Sequence, residues 1–272
     1  TQQTEEYSPL ETRVLTQDGD TYTWQAEAFN AFVQVTQTKR SNNIAGQTPI
    51  EETTSYRNDT NLWVLGLPVQ VTNLSNNGEV ESLNTYNTLD ELTARARFGQ
   101  TLMHYTWNAA GQLASFEDGD SHTTTLGNYQ RGIPQAIGYP DGTSESLVVD
   151  DVGQISSVTD QAGHTTRYTY DPVGRVTSIG YPTGDETAWN PTTFTYNYAG
   201  TERGLSGPHW RRTVTTGNAV ATTYFDAELR PVLSDSAIGS ALQASTLTTY
   251  DSQGQKVFSA YPSATALNFT PT

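Results

Sequence analysis

Polar and apolar side chains alternate along short stretches of this chain, and turn signals interrupt the alternation every 10 or 11 residues. From His164 to Tyr170, residues Thr166, Tyr168 and Tyr170 fall on one side and Thr165, Arg167 and Thr169 on the other. That period of two predicts a β-strand, and its Thr and Tyr content suits a pleated surface. Asp160-Gln161-Ala162-Gly163 precedes the strand and Asp171-Pro172-Val173-Gly174 follows it. Both read as turns, in which the Asp oxygen accepts from the backbone two residues on and the final Gly tolerates positive φ. Arg175 to Tyr181 is the returning strand, closed by Pro182-Thr183-Gly184. Asp-x-x-Gly turns of this length point to a type I turn followed by a glycine bulge. Repeated bulges add twist, which predicts a coiled rather than a flat ribbon.

The unit recurs. Gly132, Gly142, Gly153, Gly163, Gly174 and Gly184 are separated by 10, 11, 10, 11 and 10 residues. Tyr86, Trp107, Val149 and Tyr170 lie on a 21-residue grid, and each opens a similar phrase, as in Val149-Asp150-Asp151-Val152-Gly153 and Tyr170-Asp171-Pro172-Val173-Gly174. Tyr250-Asp251-Ser252-Gln253-Gly254 repeats the phrase off the grid. Self-similarity at a fixed period marks a repeat architecture, in which surfaces and containers are commoner products than active sites. The fold class expected is all-β: antiparallel hairpins forming a curved, spiralling sheet, with the grid residues aligned as a stripe on one face. The structural turn residues expected are Gly132, Gly142, Asp150, Gly153, Asp160, Gly163, Asp171, Gly174, Gly184, Asp251 and Gly254.

Outside residues 86–184, which form the regular array, the pattern loosens. Residues 1–85 read as an irregular β segment, in which Leu62-Trp63-Val64-Leu65-Gly66-Leu67-Pro68, the most apolar stretch, predicts a buried strand ending at the Gly and Pro. Residues 185–262 read as degenerate repeats with longer loops, including Phe225-Asp226-Ala227-Glu228-Leu229-Arg230, which lacks the glycine. Residues 263–272 read as a frayed tail.

Composition narrows the function classes. The chain has no Cys, so disulfides and thiolate metal sites are excluded. Thr occurs 44 times and Lys only at Lys39 and Lys256, and the formal net charge is −15. Such a surface opposes nucleic acid and anionic membranes and favours solubility. No apolar run reaches the length of a membrane-spanning helix, and no signal peptide opens the sequence, which reads as part of something longer.

These units resemble the YD repeats of the rearrangement-hotspot (Rhs) family, whose loose pattern is Tyr-Asp-x-x-Gly-Arg-Leu. Tyr170-Asp171-Pro172-Val173-Gly174-Arg175-Val176 matches it nearly fully, Tyr250 to Gln255 well, and Phe225 to Arg230 more weakly. The resemblance covers residues 50–262 and implies a long sheet spiralling into a hollow shell, which in bacterial toxins encloses a toxic domain. It implies further that this chain is a structural arc of such a wall, secreted or at the cell surface of a bacterium. Its partners would be the remainder of a longer parent chain or an encapsulated toxin domain. A carbohydrate- or cell-surface-binding module is the alternative, with glycans as partners, and a carbohydrate-active enzyme a lesser one.

No catalytic residues, cofactor site or metal site emerge. Family members cut themselves near an Asp-Pro-x-Gly motif, but Asp171-Pro172-Val173-Gly174 sits mid-array on the turn register and reads as a turn. Asp18-Gly19-Asp20 and Glu117-Asp118-Gly119-Asp120 supply too few oxygens for a calcium loop. His104, His122, His164 and His209 lack metal-ligand spacing. His209-Trp210-Arg211-Arg212 is the one cluster with recognition character, because Arg and Trp are enriched in binding hot spots and the cluster lies where the array breaks.

Overall fold

The computed structural model describes residues 9–184 and 188–269. Every regular element among them is a strand, as the turn spacing and the Thr and Tyr bias require. The chain divides into two compact units, residues 1–127 with 137–142 and residues 128–136 with 143–272. The first contains β1 (Thr12–Gln17), β2 (Asp20–Phe29), β3 (Val35–Asn42), β4 (Ile50–Asp59), β5 (Val64–Asn73), β6 (Glu79–Tyr86), β7 (Leu92–Arg97), β8 (Gln100–Trp107), β9 (Leu113–Asp118) and β10 (Thr123–Gly127). Each pairs antiparallel with the next. The short β11 (Ala136–Gly138) falls at the boundary in sequence. The second unit contains β12 (Ser144–Val149), β13 (Ile155–Thr159), β14 (Thr165–Tyr170), β15 (Val176–Gly180), β16 (Thr192–Ala199), β17 (His209–Thr216), β18 (Ala219–Phe225), β19 (Pro231–Ile238), β20 (Ala241–Tyr250) and β21 (Lys256–Ser259). These too form an antiparallel meander.

A bulge recurs at the same point of the repeat. Register slips just before the turn at Phe29, Tyr86, Trp107, Val149, Tyr170, Phe225 and Tyr250. Strand alternation carried through the observed registers puts Tyr86 and Trp107 on one face of the first unit. It likewise puts Val149 and Tyr170 on one face of the second.

Little is deeply buried. The buried apolar residues among those described are Val149, Leu205, Tyr224, Val232 and Leu233. The last four form one cluster, joined by Leu247, Tyr250, Leu267 and Phe269. The C-terminal segment is therefore not frayed as far as Phe269. Ser263 forms a β-bridge with Ser245, the Phe269 amide donates to the Arg203 carbonyl, and the Phe269 ring packs on the cluster. Arg203 holds this segment to the sheet. Its guanidinium donates to the Leu267 carbonyl and the Ser245 hydroxyl, ion-pairs with Asp235 and lies over the Tyr224 ring. Burying this cation is tolerable because its donors are matched by a carboxylate and by carbonyl and hydroxyl oxygens.

The apolar stretch 62–68 also departs from expectation. Leu62 and Trp63 lie in an exposed turn, Trp63 at φ 55° with 73% of its surface open, and β5 begins only at Val64. Gly66 and Pro68 do not end the strand. Gly66 sits at φ 82°, its amide held by the Asn58 side chain, and Pro68 pairs with Tyr56 beside a bulge, where the ladder is already interrupted.

Gly204 tests the docking of the tail. It sits at φ 77°, and an added Cβ would collide with the Phe269 carbonyl oxygen. Gly204→Ala should expel the segment, and hydrogen exchange at the Ser263 and Phe269 amides should accelerate by about tenfold or more, a local loss of ~1.4 kcal/mol. Unchanged protection would show that the tail is held elsewhere.

Candidate functional site

The repeated chemistry of this protein sits in its turns. At Asn30, Asn87, Asn108, Asp118, Asp150, Asp160, Asp171, Asp226 and Asp251 one side-chain oxygen accepts the amides of both the second and the fourth residue after it. In each, the amide of the third residue after it donates to its carbonyl, and its own amide donates to the carbonyl of the fourth. This is a type I turn plus a bulge residue in the left-handed region, with the Asx side chain tying the interior together. The left-handed slot holds Gly111, Gly153, Gly163, Gly174 and Gly254, but also Val33, Asp90, Ser121 and Leu229.

The remaining predicted turn glycines have positive φ in other settings. Gly132 (φ 80°) follows Arg131 (φ 51°) between the bridged Gln130 and Ile133. The Gly142 amide donates to the carbonyl of Tyr139, so that turn lacks an Asx residue at its head. Gly184 has φ 121°.

The aromatic before the turn does a second job. Tyr86 donates from its hydroxyl to the Pro68 carbonyl, Tyr170 to that of Ile155 and Tyr250 to that of Pro231, while the Trp107 indole N–H donates to the Leu92 carbonyl. Each ring is thereby tied to the neighbouring strand, at its first residue for Leu92, Ile155 and Pro231 and mid-strand for Pro68. Burial pushes the Tyr170 hydroxyl above its ordinary pKa, helped by nearby Tyr168 and Asp150, and burial also raises Tyr86.

The residue after the turn often bonds back to its head. Arg175 Nε donates to Asp171 at 2.7 Å and Arg230 Nε to Asp226 at 2.7 Å, and His164 lies 3.4 Å from Asp160. Arg175 then reaches over the rings of Tyr196 (4.4 Å) and Trp210 (5.2 Å), and Arg230 over that of Tyr250 (4.8 Å). The amides of His164 and Ala162 hold the Asp160 carboxyl below the usual range. At Asp171 desolvation pushes upward, but the Arg175 amide and guanidinium outweigh it and the net direction is down.

The His209-Trp210-Arg211-Arg212 cluster is split by strand alternation between two faces. His209 is buried, its ring nitrogens 3.2 Å from the Gly207 carbonyl and 3.2 Å from Glu202, and Arg211 pairs with the same carboxylate at 2.7 Å. On the other face Trp210 stands opposite Tyr198, ring centroids 5.3 Å apart, and exposed Arg212 stands opposite Tyr196. The parts the sequence missed are Arg203 with its partners and the Asn30 and Asp118 turns. The latter were readable from the Asx residue had glycine not been used as the marker. Among the described residues no cluster of His, Asp and Glu suited to a metal is present. What the arrangement performs is mechanical: it fixes strand spacing, register and twist.

Residues 149–186 match the family model described as RHS Repeat. No curated protein matches the chain. Among solved structures, TcdB2-TccC3-Cdc42 is similar at a TM-score of 0.49 and 12% identity, over 95% of this chain and 17% of that one. The Photorhabdus luminescens Tc holotoxin pore is similar at 0.45 and 12%, over 94% and 17%. TcdB2-TccC3 without its hypervariable C-terminal region is similar at 0.45 and 14%, over 93% and 14%. This chain thus spans less than a fifth of the length of each.

The left-handed slot gives opposite predictions at two turns. Gly174→Val should cost about 1–2 kcal/mol, the left-handed penalty for a residue with a Cβ. Leu229→Gly should relieve a similar strain and lose roughly 0.5–1 kcal/mol to chain entropy, for a net gain of about 0.5–1 kcal/mol. Equilibrium urea unfolding of the two variants reads both, and a shift of the same sign in each would refute the slot equivalence. Acid gives a further check. The depressed carboxyls of Asp118, Asp160 and Asp171 contribute stability that is present above the ordinary carboxylate range, about pH 4. It is lost as pH falls through their lower folded values. Thermal melts should fall from pH 5 to pH 2, and fall less for Asp160→Asn, which keeps the acceptor oxygen without the charge.

Proposed function

We propose that this RHS-repeat chain is a structural, non-enzymatic segment of a larger secreted bacterial protein, and that its sheet forms part of a β-shell wall enclosing a toxin or other cargo. The observation that carries this is the turn unit itself. Nine Asx-headed turns are built to one plan, and their hydrogen bonds are satisfied locally, so each hairpin can be added to the last without a second layer to pack against. The match at residues 149–186 supports the same reading. A wall needs two wettable faces, which fits a chain with few deeply buried apolar residues and 35% hydrophobic content. The partners are then the remainder of a longer parent chain and the enclosed domain. The turns outside the best-matching unit, at Gly132, Gly142 and Gly184, belong to the same scaffold. Residues 86–184 would be its regular stretch, with residues 1–85 leading in and residues 185–262 a variant continuation. Glycan binding is a second reading, favoured by the exposed Tyr198 ring beside Trp210 on β16 and β17.

The test uses the full-length parent protein. Under native conditions a segment beyond the repeats should resist protease while remaining cleavable after denaturation, and electron microscopy should show a hollow particle. A segment cleaved as fast in the native protein as in the denatured one would overturn encapsulation.

A further inference from the structure

We infer that β18–β20 and residues 202–205 form a peptide-binding groove that reads Ser-x-x-x-Leu-x-Phe in an extended chain. The tail 263–269 is its ligand in cis, and the same segment supplied in trans can take its place. This does not depend on encapsulation. The tail divides into read and unread positions. Ser263, Leu267 and Phe269 are half-buried, whereas Ala264, Thr265, Ala266 and Asn268 are exposed. Backbone bonds are made at each read position. Ser263 and Ser245 exchange amide-to-carbonyl bonds of 2.9 and 2.8 Å. The Leu267 amide donates to the Ser245 hydroxyl at 3.1 Å, and its carbonyl accepts from Arg203 Nε at 2.9 Å. The Phe269 amide donates to the Arg203 carbonyl at 2.7 Å. The Leu267 and Phe269 side chains pack on the cluster of Leu205, Tyr224, Val232 and Leu233. Main-chain bonds that supply affinity, with apolar pockets that select particular side chains, define recognition by strand addition.

The groove does not need the tail to take its shape. Asp235 and Ser245 hold the Arg203 guanidinium from the sheet, and the Tyr224 ring lies beneath it. Of the oxygens that Arg203 bonds, only the Leu267 carbonyl comes from the tail. Glu202, beside it, is tied to β17 by Arg211 and His209, and its carbonyl accepts the Leu205 amide at 2.8 Å. A site ordered in advance loses little entropy when its ligand arrives. The ligand must be extended and bare at its last anchor, because the Phe269 carbonyl passes where Gly204 has no side chain. Residues 261–269 carry no charged side chain, so the net charge of −15 does not repel them, whereas it opposes an acidic segment.

Fluorescence anisotropy with a labelled, C-terminally amidated peptide of residues 261–269 tests this on the full chain. Leu267→Asp with Phe269→Asp keeps the tail attached but vacates the groove. Leu267→Ala with Phe269→Ala is the milder second variant, and far-ultraviolet circular dichroism checks that each keeps its strands. The peptide should bind a vacated chain saturably with a Kd at or below ~1 mM. It should bind wild type about tenfold or more weakly, because the attached tail competes at high effective concentration. A peptide with Asp at both anchor positions should also lose about tenfold or more, while one with Ser at positions 264 and 266 should bind unchanged. Arg203→Gln in the vacated chain should weaken binding about tenfold, since it removes a charge-assisted hydrogen bond. No saturable binding by a folded vacated chain, equal binding by wild type, or equal binding of the peptide without anchors would each overturn the inference.

Discussion

Nine hairpins of this protein depend on one side-chain oxygen accepting two backbone amides. A turn that reverses a strand in five residues leaves its interior amides pointing inward, where the partner strand cannot reach them. In the Asp171 turn those of Val173 and Arg175 both end on Oδ1, at 3.1 and 2.9 Å. With them satisfied, the backbone can place a residue in the left-handed region and leave the turn already twisted. The same oxygen therefore sets geometry as well as stability. This explains how a chain with so small a buried cluster holds more than twenty short elements in register. Local closure replaces much of what a core supplies elsewhere, and the entropy of ordering each turn is offset within that turn.

The turns legible in the sequence were those where glycine accompanies the Asx residue, at Asn108, Asp150, Asp160, Asp171 and Asp251, together with Asn87 and Asp226, which the repeat phrase marks without it. The equivalent turns at Asn30 and Asp118 were harder to see because Val33 and Ser121 occupy the left-handed slot. A side chain there costs about 1–2 kcal/mol, less than the several hydrogen bonds that close the turn can supply together. Asx is thus the requirement and glycine the preference. The even glycine spacing concealed a difference of mechanism, since Gly132 and Gly142 close turns of other kinds.

What was not legible is what acts over long sequence separations. Arg203 meets Leu267 across 64 residues, and nothing in the local pattern of either segment marks that contact. The stretch 62–68 was misread for a related reason. Hydrophobicity argues for burial only if another layer exists to bury against, and near Trp63 none does. The His209–Arg212 cluster shows how backbone periodicity overrules composition. Four residues that look like one patch are divided two and two by the pleat, so His209 and Arg211 serve the covered face while Trp210 and Arg212 stay on the open one.

The arginine that follows the turn adds something that the Asx oxygen cannot. Arg175 is bonded to its own turn through Asp171 and stacked on Tyr196 and Trp210, which belong to the next two strands of the meander. Arg230 joins the Asp226 turn to Tyr250 in the same way. At the corresponding position of other turns stand Gln112, Gln154, His164 and Gln255, which lack the cationic reach across a neighbouring ring. Coupling between hairpins is consequently uneven along the chain. Where arginine is present, opening one turn exposes an unpaired cation and uncovers the next strand's aromatics, so adjacent hairpins must open together. Where it is absent, each hairpin is held by backbone pairing, by the bonds within its own turn and, at Tyr86, Trp107 and Tyr250, by the ring's bond to the neighbouring strand. The stretch from Asp171 to Tyr250 should therefore behave as the most cooperative part of the molecule.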